Sequence, residues 1–190
     1  MRETLREALQ TTLLALIVFA GLQATIQNYR VEGSSMEPTL KSNEYLLVNK
    51  LVFYRLDMAR LARYLPFIKA GPGDEAYVFR SPQRGDVVVF HFPGDPSRDF
   101  VKRVVGLPGD TVEIRRGTVY VNGTPLEEPY AQASPRSAMS ATKLGPRQYF
   151  VLGDNRPNSN DSKDWGPVPE ENIVGSVWVT YWPMSQMHLF

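Results

Sequence analysis

The sequence predicts an all-β fold, an antiparallel β-sandwich or partly open barrel, preceded by one N-terminal transmembrane helix. Three observations predict it. Beyond residue 30, short runs rich in β-branched and aromatic residues recur between Gly, Pro, Asn and Asp clusters. Proline fills 15 of 190 positions, about 8% where roughly 5% is usual, which favours short strands and turns over long helices. The segment before residue 30 instead holds an uncharged stretch of membrane length.

That stretch runs from Ala8 to Tyr29, 22 consecutive uncharged residues, and its centre, Leu13 to Leu22, has no polar side chain. At about 1.5 Å per residue, 22 helical residues reach roughly 33 Å, against a hydrocarbon core of about 30 Å. An uncleaved anchor, a removable secretory signal and a buried helix are the three readings. Leu22-Gln23-Ala24 places Leu where a signal cleavage site needs a small residue, which favours the anchor. Arg2 and Arg6 precede the span and Arg30 follows it, which orients the amino terminus inward. Residues 1–30 are therefore read as a short cytoplasmic tail and anchor, and residues 31–190 as a β-rich extracytoplasmic domain.

The predicted strands are 44–49, 86–92, 100–105, 111–114, 118–121 and 148–152. Arg115-Arg116-Gly117, Asn122-Gly123 and Pro108-Gly109-Asp110 supply turn chemistry. Residues 51–82 form a less β-like insertion with one short helix, Met58 to Tyr64. Residues 122–148 are a long loop region, Ser-, Ala- and Pro-rich from Tyr130 to Pro146.

Composition narrows the chemistry. With no cysteine, disulfide scaffolds, thiolate metal sites and cysteine nucleophiles are excluded. His91 and His188 are the only imidazoles, so multi-histidine metal sites and many Ser-His-Asp arrangements are hard to assemble. A net charge of +1 gives no basic field for nucleic acid. No cofactor, no metal and no nucleic-acid partner are expected.

Three stretches remain as candidate chemistry. Gly33-Ser34-Ser35-Met36-Glu37-Pro38-Thr39-Leu40 offers a serine nucleophile just past the span, or a plain turn with a Ser34/Glu37 capping box. The serine needs a base. His91 lies in a strand and fits a solvent-side position equally well, and His188 sits near the carboxyl terminus. Lys102 is the remaining candidate: alternation puts it on one strand face with Phe100 and Val104. If that face is inner, desolvation makes the amine a neutral base; otherwise it is a surface lysine. The third stretch, Gly153 to Gly166, is a polar loop too dense for a simple connector, and it lacks calcium-loop spacing.

Together these stretches resemble the boxes of the bacterial type I signal peptidases. Ser-Met-x-Pro-Thr-Leu at 35–40, Arg-Gly-Asp-Val-Val-Val-Phe at 84–90, Lys-Arg-Val-Val-Gly-Leu-Pro-Gly-Asp at 102–110, and Gly-Asp-Asn-Arg with Asn-Ser-x-Asp-Ser-x-x-Trp-Gly at 153–166 are similar in order and spacing. The resemblance implies a membrane-bound serine endopeptidase that removes signal peptides after small residues, Ala-x-Ala, with Ser35 as nucleophile and Lys102 as general base. It further implies that the Ser159 hydroxyl orients the lysine amine, that Asp161 and Asp154 are supporting carboxylates, and that Asp154 pairs with Arg103. The Ser35 backbone N–H would be an oxyanion donor. Some members add a serine hydroxyl two residues before the nucleophile; Gly33 stands there, leaving a second donor open between backbone and Ser34. Pro157 and Lys163 also depart from the pattern, at positions that carry no chemistry. Val31, Met36, Leu46, Val89 and Val101 would line the substrate pockets.

The implied partners are preprotein signal peptides, the lipid bilayer and, nearby, the secretion translocon; the implied location is the bacterial plasma membrane, single-pass. The 51–82 insertion is read as a surface excursion, membrane-apposed through Leu65, Pro66, Phe67 and Ile68, or as a harmless loop. Two alternatives stand beside this reading. A Ser-Lys self-cleaving repressor-type protease would carry a DNA-binding domain in place of the span. A non-catalytic membrane-tethered β-module would tolerate loss of Ser35 and Lys102.

Overall fold

In the computed structural model, which describes residues 2–65, 67, 69, 71 and 74–190, the chain opens with helix α1 (Arg2–Thr25) and enters strand β1 (Ile26–Arg30) without a linker. Next come β2 (Tyr45–Asn49), a 3-10 turn (Leu51–Phe53), β3 (Arg55–Asp57), α2 (Met58–Ala62) and β4 (Glu75–Tyr77). The middle of the chain supplies β5 (Val87–Phe92), β6 (Asp95–Gly106), β7 (Thr111–Arg115), β8 (Thr118–Val121), β9 (Thr124–Pro125), β10 (Met139–Lys143) and β11 (Gln148–Leu152). After them lie α3 (Ser162–Trp165), β12 (Val168–Pro169), β13 (Ile173–Trp182) and β14 (His188–Leu189).

The all-β expectation holds for the body. An eight-stranded sheet runs β1-β2-β13-β5-β6-β11-β12, with β14 added on β13, and a four-stranded sheet runs β10-β7-β8-β9. The named strands pair antiparallel throughout. Near-continuous apolar strands explain a sheet covered on both faces. In β5, Val87 and Val89 enter one core cluster with Val31, Met36 and Leu46, while Val88 and Phe90 enter another with Val104, Tyr149 and Val151. A third cluster, around Val105, Val112, Val119, Phe150 and Leu152, joins the smaller sheet to β6 and β11.

Three expectations change. The helix stops at Thr25, and Ile26–Arg30 is a strand, because five residues from Ile26 to Arg30 pair with Asn49 to Tyr45. The 122–148 region is not all loop. It holds β9 and β10, and β10 pairs with β7 from Met139↔Ile114 to Lys143↔Thr111; its Ser-Ala-Thr composition conceals an edge strand that Met139 ties to the core. β13 is absent from the predicted runs because Gly175 and Ser176 interrupt its apolar pattern, although it bridges β2 and β5.

Within the 51–82 insertion, the expected helix is the shorter Met58–Ala62, capped by the Asp57 side chain, which accepts from the Arg60 N–H at 2.8 Å. Pro66 and Ile68 of the expected membrane-apposed stretch lie outside the described residues. Along α1, Leu9, Leu13, Leu14, Leu16, Ile17, Val18 and Phe19 are all exposed. Among the described residues no helix is long and apolar enough to cross a membrane; the side chains of Leu22 and Ala24 are not among them.

Candidate active site

β6 carries Lys102 into the interior. Its pattern passes from exposed at Asp95–Asp99 to buried from Lys102 onward, and Lys102 itself is 4% exposed. The amine lies 2.7 Å from Ser35 Oγ and donates to the Val101 carbonyl at 2.9 Å. Phe100 stands beside it, the amine 5.4 Å from the ring centroid. Burial pushes the Lys102 amine down from 10.5 to about 8. Asp161 and Asp154 pull it back up, and Lys163 pushes it further down. A neutral amine has two N–H donors and one lone pair. With one N–H on Val101, the lone pair is free to accept the Ser35 hydroxyl proton.

Ser35 sits in the turn-rich link between β1 and β2, so its position depends on what clamps that link to the rest of the sheet. Arg103, the next residue along β6, grips buried Asp154 through two hydrogen bonds, 2.9 Å from Nε to Oδ1 and 2.7 Å from Nη2 to Oδ2. The Thr39 hydroxyl donates to the same carboxylate at 2.5 Å. The serine turn, the lysine strand and the loop after β11 thus meet at one ion pair. Such a bidentate charge-assisted contact fixes geometry as well as energy.

That loop is held from within by Asp161, which is fully buried, caps α3 and accepts the Gly153 N–H at 3.0 Å. Gly153 is required by close approach: an added Cβ would fall 2.2 Å from Ser159 Oγ and 2.4 Å from the Ser35 carbonyl oxygen. The resemblance implied a Ser159–lysine hydrogen bond, and it is not formed. Ser159 Oγ is buried with no partner, and the Lys102 amine is engaged by Ser35 and Val101 instead. Lys163 reaches back to the Ser159 carbonyl and lies 3.2 Å from Asp161.

Two contributors escaped the sequence reading. Asn155 donates its backbone N–H to the Ser35 carbonyl and its side-chain Nδ2 to the Ser34 carbonyl, both at 3.0 Å. The Asn158 amide donates to Asn155 Oδ1 at 3.2 Å, which sets the orientation of the Asn155 amide. A trans peptide points its C=O and N–H in opposite directions, so holding the Ser34 carbonyl also aims the Ser35 N–H. That N–H donates to no acceptor among the described residues. The second contributor is a strap from the region read as loop. Glu128 accepts from Arg156 Nη1 at 2.9 Å, Tyr130 lies under the Arg103 guanidinium, and the Gln132 N–H donates to the Asp154 carbonyl at 2.7 Å. Asn155 lay inside the Gly-Asp-Asn-Arg box and was the findable one; the strap carries no local signal.

A cleft of about 740 Å³ opens beside the pair. Val31, Leu46, Val89 and Val101 line it together with Ser34, Asn158 and Asn160. Met36 does not line it, being buried beneath in the same core cluster. Gly33 is at the rim with φ +84°, a conformation L side chains rarely adopt, so a serine hydroxyl there would come with backbone strain. His91 pairs with Asp99 at 2.6 Å, not with Ser35, and His188 is exposed on β14. No group of His, Asp or Glu among the described residues is arranged to hold a metal.

Residues 4–182 match the family described as signal peptidase, peptidase S26. The chain is 36% identical over 191 residues to a signal peptidase I of Leptolyngbya laminosa, covering 96% of this chain and 82% of the relative. A signal peptidase I of Bacillus caldolyticus is 35% identical over 187 residues, 90% of this chain and 88% of the relative. A signal peptidase IB of Staphylococcus aureus is 30% identical over 203 residues, 97% and 93% respectively. Among solved structures, a crystal structure of a signal peptidase I from Enterococcus faecalis V583 aligns at 36% identity with a TM-score of 0.43, over 51% of this chain and 97% of that one.

The Asn155 contacts generate a prediction. Asn155→Asp keeps the shape but replaces the amide donor with a carboxylate that repels the Ser34 carbonyl. Acylation of Ser35 by an activated peptide ester should slow by about tenfold or more, up to the roughly 10²–10³ that loss of one oxyanion donor costs. Asn155 is 4% exposed, so the buried carboxylate should also lower the thermal midpoint; acylation at the wild-type rate per folded molecule would contradict the assignment.

Proposed function

The chain belongs to the signal peptidase family, peptidase S26, a serine endopeptidase family, and from that premise we propose that it removes signal peptides from translocated preproteins by a Ser35/Lys102 acyl-enzyme mechanism. The observation that carries the reading is the 2.7 Å contact between the buried Lys102 amine and Ser35 Oγ. Neutral Lys102 takes the Ser35 proton as Oγ attacks the scissile carbonyl. The resulting ammonium delivers that proton to the leaving amine, and a water activated by the same amine then hydrolyses the acyl-enzyme. The Ser35 N–H, aimed by Asn155, faces the developing oxyanion. Arg103, Asp154 and Asp161 hold the two reacting side chains in register. Ser159 packs closely against Gly153, and so acts by packing in the resting site.

The lining of the cleft supports specificity for Ala-x-Ala. Branched Val31, Leu46, Val89 and Val101 line it, and an excess methylene costs about 1–3 kcal/mol in such a pocket. Ser35 follows β1 closely, and β1 follows α1 directly, so cleavage would occur next to whatever α1 is embedded in. Exposed apolar side chains along α1 and the uncharged run from Ala8 support α1 as a single-pass anchor in the bacterial plasma membrane. The catalytic body would then be extracytoplasmic, beside lipid and near the translocon.

Two measurements test this. A preprotein ending its signal in Ala-x-Ala is incubated in detergent with wild type, Ser35→Ala and Lys102→Met. Ser35→Ala should fall to background and Lys102→Met by about 10²–10⁴-fold; near-wild-type turnover by either removes the dyad. The second is the pH profile. The active form is the neutral amine, whose fraction rises as pH approaches its value of about 8 from below. With chemistry limiting, kcat/KM should therefore climb about tenfold per pH unit on the acidic side and level off above. A flat profile across that range contradicts a titrating lysine base.

A further inference from the structure

We infer that the outer face of the β3–β4 hairpin is a lipid-docking surface that seats against the anionic interface of the bilayer, a proposal that rests on the reading of α1 as a membrane anchor. Arg55 pairs with Tyr77, and Leu56 with Ala76; the ladder continues through the Val78 N–H, which donates to the Tyr54 carbonyl at 2.9 Å. Alternation gives the hairpin two faces. On the inner one, the Tyr77 hydroxyl donates to Glu170, Arg55 Nη1 lies 3.2 Å from the same carboxylate, and Tyr77 packs on the core. On the outer one stand Tyr54, Leu56, Ala76 and Val78, all exposed. A hairpin face that met only water would carry polar side chains.

Position and charge identify the occupant. The Lys50 N–H donates to the Thr25 carbonyl at 2.8 Å, so Lys50 stands against the end of α1, and the hairpin begins a single 3-10 turn after it. Close by in sequence, Tyr64 and Phe67 are 80% and 78% exposed. Lys50, Arg63 and Lys69 form no ion pair among the described residues. Lys50 at the end of α1, with exposed aromatic rings and unpaired basic side chains in the same insertion, matches the headgroup region, where rings settle at the interface and cations meet anionic lipid. Four outer side chains fall short of the roughly 800 Å² per partner that a stable protein interface buries.

The chain lacks cysteine, so single probes report cleanly. The full-length protein, carrying a bimane fluorophore on Ile17→Cys, Leu56→Cys or Thr118→Cys, is reconstituted in phosphatidylcholine–phosphatidylglycerol vesicles; Val78→Cys serves if Leu56→Cys fails to fold. The proposal expects the probes at 17 and 56 to be shielded from aqueous iodide and quenched by brominated lipid, and the probe at 118, exposed on β8 of the smaller sheet, to show the reverse. Shielding at 56, but not at 17, should weaken in pure phosphatidylcholine, and equal shielding there overturns the anionic assignment. If 17 is shielded and 56 is as open to iodide as 118, the docking surface is overturned while the anchor stands. Shielding at 56 without bromolipid quenching, varying with protein-to-lipid ratio, overturns it in favour of a second copy. If neither 17 nor 56 is shielded, the anchor reading falls and this proposal with it.

Discussion

The burial of one amine governs this structure. Lys102 is carried on a central strand to a place where water cannot solvate its charge, and the penalty on the ammonium, a shift from 10.5 to about 8, corresponds to roughly 3 kcal/mol. The sign matters for the fold. The unfolded chain holds that proton to higher pH than the folded one, so the site is destabilising below about 8. Stability is recovered as pH rises from there toward the unfolded value. The surrounding structure has to withstand that cost, and the ion pair of Arg103 with Asp154, the Asp161 cap and the Glu128–Arg156 contact are the ties that do so.

The same ties leave the lysine amine with two polar partners in the resting site. Val101 takes one amine hydrogen, the fold keeps the other groups at a distance, and the lone pair has a single neighbour, Ser35. Asn155 reads as the counterpart on the other side of the nucleophile. By gripping the carbonyls on both sides of the Ser34–Ser35 link, it orients a backbone donor that no side chain contacts directly. Both devices act through backbone geometry.

Much of this was legible in the sequence. Alternation around Lys102 was sufficient to ask whether its face was inner, and the boxes at 35–40, 84–90, 102–110 and 153–166 placed the serine, the lysine and the Arg103–Asp154 pair. The remainder was illegible for identifiable reasons. β10 is an edge strand made of Ser, Ala and Thr, whose pairing is set by β7 and not by its own composition. β13 hides behind Gly175 and Ser176. Ile26–Arg30 belongs to β1 because of a ladder with residues far along the chain, which an uncharged run cannot reveal. The free Ser159 hydroxyl and the Glu128–Gln132 strap arise from tertiary packing between segments well separated in sequence.

The central claim is that Lys102 is a buried amine held near 8, well below the usual lysine range. It is tested most directly by ¹³C NMR titration of protein labelled at lysine Cε, with Lys102→Met used to assign the resonance. The account predicts that the Lys102 signal titrates near 8, well apart from the other lysines. Titration of that signal near 10.5 together with them would contradict it.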